Sequence, residues 1–345
     1  MELSLLGWNE HFAEAFSGCE PALSPARVAS ETRGHYELWT EEGSRTARLP
    51  GSWKGPTPVT GDWVGFNSDH IIRCLLPRRN KVSRKKAGRA FEEQALAANV
   101  DVVFLVAGLD HDFNARRLER YLMTAWESGA SPVVVLNKAD LAGDPMEAMR
   151  CVKAAAPEVP AVLLTALSEP DVARLHRYVK PGETAVLLGS SGAGKSTILN
   201  RLLRAEAQRT QAVRERDSRG RHTTVGRQMF LLPQGWLLID TPGLRELEPW
   251  VGAGAAPGVF GDIVELARQC RFRDCLHRGE PGCAVARAIE EGLLDEARLW
   301  SFQKLRDGAE RLERMQDLQA AREERRKWKQ IHKAMRNSSK WREWG

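Results

Sequence analysis

The sequence lacks any apolar run that approaches the about 20 residues a helix needs to span a bilayer. Residues 1–8 also lack the basic start and long apolar core of a secretion signal. Cysteine is scarce, and three of the six cysteines stand close to His277, which argues against a disulfide framework and for a reducing compartment. We therefore expect a cytoplasmic protein that does not enter a membrane, and the length predicts two or three domains.

Excess positive charge is also lacking from most of the chain, although the net charge is +6. Residues 325–345 hold eight Lys/Arg and one Glu, which leaves 43 of the 51 basic and 44 of the 45 acidic residues in the first 324 positions. Trp328, Trp341 and Trp344 lie among those charges, and indole rings can stack on unpaired bases. Such a tail is typical of nucleic-acid contact, with a solvated arm as the alternative.

One segment matches the phosphate-binding pattern G-x-x-x-x-G-K-[ST] at every fixed position. Residues 184–188 predict a buried strand before it, and residues 196–203 predict a helix after it. In this setting main-chain N–H groups surround phosphates, Lys195 reaches the β- and γ-phosphates, and the Ser196 hydroxyl binds Mg²⁺. The predicted phosphate loop consists of Gly189, Ser190, Ser191, Gly192, Ala193, Gly194, Lys195, Ser196 and Thr197.

Two further segments fit the magnesium side of such a site. Residues 236–239 predict a strand that delivers Asp240, which can hold Mg²⁺, and the turn that follows ends at Gly243, whose N–H can sense the γ-phosphate. Between this strand and the phosphate loop lies the pair Thr223-Thr224. A switch threonine there would bind Mg²⁺; we favour Thr224, with Thr223 as the alternative.

A guanine-reading signature, N-K-x-D, follows the strand predicted at residues 131–136. The Asp140 carboxylate can accept hydrogen bonds from N1–H and the 2-amino group of guanine, a pair that adenine lacks, so the pattern favours GTP over ATP. We expect Asn137 to tie this turn to the phosphate loop, and the Ala166 N–H to lie near the guanine oxygen. The predicted base contacts are Asn137, Lys138, Asp140, Thr165 and Ala166.

The guanine signature precedes the phosphate loop, whereas in an ordinary small GTPase it follows, so the order predicts a circularly permuted GTPase. Leu244 stands where Ras-like enzymes have the glutamine that orients the attacking water. His222 is the best internal replacement, with an exposed loop residue as the alternative reading. Gly192 has no side chain to hold a catalytic potassium ion, so we expect slow intrinsic turnover, about 10⁻³ per second. The predicted catalytic residues are His222, Lys195 and Thr224.

A cluster with metal-ligand spacing, Cys-x4-Cys-x-His-x5-Cys, lies in the last third of the chain. Three thiolates and one imidazole make a closed tetrahedral site of the structural kind, without an open position for chemistry. Free buried thiols are the alternative. The predicted ligands of one structural Zn²⁺ are Cys270, Cys275, His277 and Cys283; Cys19, Cys74 and Cys151 are isolated in sequence and are interpreted as packing residues.

The first 90 residues differ in character from the rest, with five short strand-like runs separated by Gly, Pro and Ser. They suggest a small β-barrel, for which the oligonucleotide-binding OB-fold is the common five-stranded form. The run 78–89 holds seven basic residues and no acidic one, and we favour RNA backbone contact over a merely exposed loop. The five runs are 27–29, 35–39, 46–49, 62–66 and 71–76.

Beyond residue 90, six apolar strands near residues 102, 133, 162, 185, 229 and 237 alternate with helical stretches. This alternation predicts an α/β sheet with ligands at the strand ends. We therefore predict a multidomain protein: an OB-fold RNA-binding domain at 1–90, a circularly permuted Ras-like α/β GTPase domain at 91–255, and an α-helical zinc domain with a basic tail at 256–345.

Together these segments resemble the ribosome small-subunit-dependent GTPase A family, RsgA/YjeQ/YloQ, over nearly the whole chain. The most specific elements are the motif order, the stretch 220–224 and the cysteine spacing. The resemblance implies hydrolysis of GTP to GDP, a late role in maturation of the small ribosomal subunit, contact with its rRNA, and stimulation by that subunit. It also implies that His222 is the catalytic histidine. Thr241 and Val225 depart from the residues more usual in the family.

Two other functions remain open at this point. A nucleotide-gated adaptor would use the tail and cysteine cluster to hold a protein partner, and its binding would be insensitive to salt. A stand-alone NTPase or kinase would turn over substantially without a partner and accept ATP. We expect a monomer that binds the small subunit in its GTP state and leaves it in its GDP state.

Overall fold

The computed structural model describes residues 2–85, 93–110, 113–210, 227–240, 260–296, 298–300, 302–303 and 306–307. The chain divides into two compact units. The first comprises Met1–Lys85 and Glu93–Trp250, and the second comprises Lys86–Glu92 and Val251–Gly345. None of the helices in the described ranges combines the length and apolar character that crossing a bilayer requires.

Five antiparallel strands form the N-terminal part of the first unit, at the positions predicted. Along the second strand, the buried residues Tyr36, Leu38 and Thr40 alternate with more exposed ones, as expected for a strand with one face on a core. The order is β3–β2–β1–β4–β5, and a parallel bridge between Arg48 and Ile71 connects the two ends of this order. The strands are β1 Ser24–Thr32, β2 His35–Thr40, β3 Gly43–Arg48, β4 Trp63–Phe66 and β5 Ile72–Leu75.

Helix α1, Glu10–Ser17, packs its aromatic side chains on this strand set. The Asn9 side chain accepts a hydrogen bond from the Phe12 N–H at 3.4 Å and caps the helix. The rings of Trp8 and Phe12 lie 4.7 Å and 5.8 Å from the ring of Trp63, which is fully buried. Burial of these aromatic surfaces therefore holds the N-terminal segment on β4.

A hairpin follows, in which β6, Lys81–Lys85, pairs with β7, Glu93–Ala98. Part of the basic run 78–89 is therefore strand, although lysine-rich sequence is depleted in strands, because pairing with the apolar β7 overrides that weak preference. A 2.7 Å ion pair between Lys81 and Glu93 joins the two strands.

The predicted six-strand sheet is present in the second half of the first unit. Its order is β10–β9–β8–β11–β13–β12, parallel except for β12, and β12 also pairs with β1 at Ser30 and Gln228. The sheet therefore continues into the N-terminal strands. The strands are β8 Val102–Gly108, β9 Ser131–Asn137, β10 Ala161–Leu163, β11 Thr184–Gly189, β12 Gln228–Leu231 and β13 Leu237–Asp240, the helices α2 Ala115–Glu127, α3 Pro145–Ala155, α4 Glu169–Ala173 and α5 Lys195–Thr210, and the 3₁₀-helices Leu3–Leu6, Ala139–Leu141 and Arg174–Tyr178.

A buried arginine connects the N-terminal strands to the six-strand sheet. The Arg27 guanidinium donates to the Thr184 hydroxyl at 2.7 Å, to Asn99 O at 3.2 Å and to Gly61 O at 3.3 Å, and also to Leu6 O. Burial lowers the pKa of Arg27 to about 10, so the group stays charged at neutral pH. Because Thr184 begins β11, the Arg27 side chain joins the segment before α1, the N-terminal strands and the strand that ends at Gly189.

The second unit contains two short described helices, α6 Gly261–Ala267 and α7 Ala284–Glu290, with the cysteine cluster between them. Phe260 and Phe302 pack edge to face at 5.4 Å between ring centres, and both are buried. Leu299, three residues before Phe302, is buried as well.

Candidate nucleotide-binding and metal sites

The phosphate loop begins where β11 ends and continues into α5. Two of its glycines have conformations that exclude a side chain. Gly189 has φ of +155° and a Cβ there would lie 2.1 Å from Val106 O; Gly194 has φ of +99° and a Cβ would lie 2.1 Å from Asn137 Nδ2. The loop can therefore approach its neighbours closely only with glycine at these positions.

Lys195 opens helix α5 and folds back over the loop. Its ammonium group donates to Gly189 O at 2.8 Å and Ser190 O at 2.6 Å. Ser196 follows in the first turn and is exposed. A helix N-terminus, an ammonium group and an exposed hydroxyl together offer the chemistry that binds phosphate oxygens with a divalent cation.

Asn137 lies at the end of β9, 1% exposed, and contacts two loops. Its Nδ2 donates to Ala193 O at 2.8 Å, and its Oδ1 accepts from the Ala166 N–H at 2.8 Å. The Ala166 N–H, expected near the guanine oxygen, is thus directed to Asn137 in this structure. The amide places the guanine turn, the loop after β10 and the phosphate loop around one edge of the sheet.

Asp140 is exposed in the 3₁₀-helix that follows β9, so its carboxylate is accessible to a base. The Thr165 hydroxyl donates to its Oδ1 at 3.0 Å, and the Thr165 N–H donates to Asp171 Oδ2 at 3.0 Å. Lys138 adopts a left-handed conformation, φ +62°, and its ammonium group pairs with Asp110, which follows β8. These contacts fix the positions of the predicted base-reading side chains relative to one another.

The magnesium residues are only partly within the described ranges. β11 and β13 are adjacent and parallel, with Val186 opposite Ile239, so Asp240 and the phosphate loop lie at the same end of neighbouring strands. A serine hydroxyl and a carboxylate are the hard oxygen donors that Mg²⁺ takes, so Ser196 and Asp240 fit this ion. The remaining predicted residues, His222, Thr223, Thr224 and Gly243, lie outside the described residues.

The cysteine cluster brings four donor atoms together. Those of Cys270, Cys275, His277 and Cys283 all lie within 4.8 Å of one another. The Cys270 and Cys283 sulfurs are 3.9 Å apart, and His277 Nδ1 lies 3.7 Å from the first and 3.4 Å from the second. Ideal tetrahedral zinc with ordinary bond lengths would set about 3.8 Å between sulfurs and about 3.6 Å between sulfur and nitrogen. The donor set therefore fits zinc.

The loop between these ligands is held by its own hydrogen bonds. Glu280 accepts from the Leu276 N–H at 2.9 Å and the Arg278 N–H at 2.7 Å. Burial raises the pKa of the Cys275 thiol to about 12 and lowers the pKa of His277. Zinc binds thiolate and neutral imidazole, so a buried neutral histidine is ready to bind, whereas Cys275 must release its proton.

Comparison with known proteins decides which family this geometry belongs to. Residues 75–250, about half of the chain and all of the described phosphate and guanine segments, match the family model "RsgA GTPase". A curated relative from Opitutus terrae, a small ribosomal subunit biogenesis GTPase RsgA, is 43% identical over 97% of each chain. The chain belongs to the RsgA GTPase family. It is accordingly an enzyme that hydrolyses GTP.

Other RsgA relatives and solved structures agree. Proteins of the same name from Methanosarcina acetivorans and Xanthomonas oryzae are 42% and 45% identical to this chain. The alignments span 87% and 88% of this chain and 84% and 87% of those proteins. The crystal structure of YjeQ from Thermotoga maritima aligns with a TM-score of 0.61 at 24% identity, over 83% of this chain and 98% of that one. YloQ, described as a circularly permuted GTPase, aligns at 0.59 and 21%, over 85% and 97%. The two structures show the shared fold.

Two polar residues of this RsgA site were not found from the sequence. Asp110 pairs with Lys138, and Asp171 accepts from the Thr165 N–H. Asp110 could have been found from the sequence, because it comes two residues after a buried strand. The other site residues also follow the carboxyl ends of strands. Asp171 could not have been found, because it lies within an ordinary acidic first turn of α4.

Proposed function

We propose that this chain acts in biogenesis of the small ribosomal subunit, as the names of its curated relatives state for those proteins. The proposal rests on the two hydrogen bonds of the Asn137 side chain. They hold the guanine turn against the phosphate loop, although the guanine turn comes first in the chain. GTP binding would therefore use the described residues Asn137, Lys138, Asp140, Thr165, Ala166 and the loop Gly189–Thr197.

In the GTP-bound state, Lys195 leaves the loop carbonyls and contacts the β- and γ-phosphates. Ser196, Asp240 and either Thr224 or Thr223 would hold Mg²⁺, which would neutralise charge on the phosphate oxygens. The Gly243 N–H donates to the γ-phosphate. Each of these groups binds or orients; none forms a covalent intermediate.

We further propose that His222 orients the attacking water. The sequence argument is that Leu244 cannot do so and that His222 adjoins the magnesium threonines in the chain. Hydrolysis would be slow without a partner, and docking on the small subunit would position His222 for the reaction.

The N-terminal strands are proposed to be an OB-fold that contacts rRNA. Their order and the Arg48–Ile71 bridge support a five-stranded barrel. A cleft of about 1210 Å³ lies beside it, lined by Trp53, Arg73 and Trp126 among others. Arg73 is exposed and makes no ion pair within the described ranges, so it can meet a phosphate, while the indoles can meet a base. The Trp-bearing basic tail is a second proposed RNA contact and lies outside the described residues.

The cysteine cluster is proposed to hold one structural Zn²⁺. Nucleotide state would control docking because the second switch, Asp240–Gly243, leads along the chain to the unit that contains this cluster. The GTP state docks and the GDP state leaves; the protein works as a cytoplasmic monomer.

Sedimentation with purified small subunits tests this proposal. Binding should be at least tenfold tighter with a non-hydrolysable GTP analogue than with GDP, and it should weaken steeply with salt because phosphate contacts release counterions. Equal binding in both nucleotide states would refute the switch. Salt-insensitive binding to a protein instead would favour the adaptor function.

A further inference from the structure

A cysteine pair lies far from the nucleotide site and outside the zinc cluster. The sulfurs of Cys19 and Cys74, 55 positions apart in the chain, are 2.6 Å from each other. This separation is shorter than the about 3.5–4.0 Å that non-bonded heavy atoms prefer. The two thiols are therefore in direct contact. The sequence predicts both as packing residues, and the fold brings the two into contact with each other.

The backbone around the pair explains this contact. Cys74 lies on β5, directly opposite Gly65 of β4. A Cβ at Gly65 would come within 2.6 Å of Cys74 Sγ and 3.2 Å of the Phe16 ring. Glycine at this position leaves the space in which the sulfur of β5 meets the end of α1, where Cys19 follows the helix.

The surroundings narrow the chemistry of the pair. Within the described residues, the group of three or more metal-ligating side chains is the cluster at 270–283, and neither Cys19 nor Cys74 belongs to it. Zinc, the metal proposed for the cluster at 270–283, takes three or four protein ligands. Cys19 is half-buried between the exposed Gly18 and Glu20, so a small molecule in solution can reach it. Burial raises the pKa of Cys74 to about 12, and hydrogen bonding to Cys19 adds to the rise.

We propose that Cys19 and Cys74 form a reversible intramolecular disulfide by exchange with a small-molecule disulfide such as oxidised glutathione. The Cys19 thiolate attacks one sulfur of the glutathione disulfide, forms a mixed disulfide and releases one glutathione. Cys74 then loses its proton to solvent, its sulfur attacks Cys19 Sγ, and the second glutathione leaves. Two thiols are oxidised to one disulfide, and one small disulfide is reduced to two thiols.

The bond would attach the N-terminal segment covalently to the barrel strands. In the reduced protein this segment is held by aromatic packing on Trp63 and by the hydrogen bond from Arg27 to Leu6 O. A cross-link over 55 positions restricts the unfolded chain and so stabilises the fold. In a reducing cell both sulfurs stay thiols, and the bond forms when the glutathione pool is oxidised.

The test uses the full-length, zinc-loaded protein, so that metal protects the clustered thiols. Wild type and the variants Cys19→Ser, Cys74→Ser and Cys151→Ser, the last with an exposed cysteine, are incubated with oxidised glutathione, alkylated and analysed by peptide mass spectrometry without reduction. Wild type and Cys151→Ser should give a linked Cys19–Cys74 peptide two hydrogens lighter than its parts, reversed by dithiothreitol. In Cys74→Ser, Cys19 should instead accumulate a glutathione adduct that wild type resolves.

A second readout is thermal stability, compared between the oxidised and the reduced form of each protein. Oxidised wild type should melt several degrees above the reduced protein, and the difference should vanish in Cys19→Ser. The proposal is overturned if Cys19 and Cys74 are recovered separately alkylated or glutathionylated in wild type while Cys151 is fully glutathionylated. Linkage of Cys19 to a different cysteine would overturn it as well.

Discussion

The side-chain amide of Asn137 donates to the main-chain oxygen of Ala193 at 2.8 Å, across 56 positions of the chain. On its other side the same amide accepts from the Ala166 N–H. A guanine turn that precedes the phosphate loop in sequence thus lies against it in space. Permutation changes the order in which the strands are made but preserves which loops meet at the edge of the sheet.

Asn137→Ala should weaken GTP and GDP binding alike, by about 10–100-fold. The change leaves Ala193 O and the Ala166 N–H without their buried partner, at about 1–3 kcal/mol each, and the loops lose their relative position. Titration with fluorescent GTP and GDP measures it. Asn200→Ala, at an exposed position on α5, is the control and should bind as wild type. Unchanged affinity in Asn137→Ala would show that these two hydrogen bonds do not hold the nucleotide site together.

Asp140→Asn should exchange base preference. The asparagine oxygen can still accept from the Thr165 hydroxyl, now 3.0 Å from Asp140, so the loop is retained. Its amide nitrogen would face the guanine donors, so GTP affinity should fall about 100-fold. The affinity for xanthosine triphosphate should rise, because its oxygen at carbon 2 can accept a hydrogen bond from that nitrogen. Competition binding compares the two nucleotides. Asp144→Asn is the control: the asparagine oxygen can still cap α3, and neither affinity should change. An equal loss of affinity for both nucleotides in Asp140→Asn would contradict base reading by this residue.

Arg27→Met should lower the free energy of unfolding by about 2–5 kcal/mol. Four buried acceptors lose their donor, and relief of the guanidinium's burial offsets part of that cost. Urea unfolding followed by circular dichroism measures the change. Arg73→Met, exposed and outside any described ion pair, should stay within about 0.5 kcal/mol of wild type. Equal losses in the two variants would show that Arg27 does not join the strands as described.

The purified protein should contain one zinc per chain, and Cys283→Ser should lose it. Serine can still accept from the Ala286 N–H, as Cys283 Sγ does at 3.3 Å, so the variant separates metal binding from capping of α7. Inductively coupled plasma mass spectrometry measures the zinc content per chain. The control variant Cys151→Ser should retain one zinc. Zinc at wild-type level in Cys283→Ser, or no zinc in wild type, would argue for a cluster of free thiols.

Much of the fold follows from local sequence. Four strands of the sheet, β8, β9, β11 and β13, are apolar runs of mostly buried residues, and Gly189 and Gly194 are fixed positions of the phosphate-binding pattern, so both signals are readable without tertiary information. The cysteine spacing likewise specifies a site because all four ligands lie within a few turns of chain.

What could not be predicted depends on contacts between distant segments. Strand β6 is lysine-rich and forms only because β7 pairs with it. In the sequence, Arg27 does not differ from any other arginine on a strand. Its buried hydrogen bonds to Leu6, Asn99 and Thr184 form only in the folded chain. Cys19 and Cys74 are isolated in sequence and meet only because Gly65 leaves room. None of these pairs has a periodic or motif signature.

The most direct test of the central claim is steady-state GTP hydrolysis by the full chain alone, with small ribosomal subunits, and with large subunits. We expect a rate of about 10⁻³ per second for the chain alone, strong stimulation by small subunits only, loss of the stimulated rate in Lys195→Ala, and a reduced rate in His222→Ala with nucleotide affinity retained. Equal rates with small subunits, large subunits and no particle would contradict a role on the small subunit.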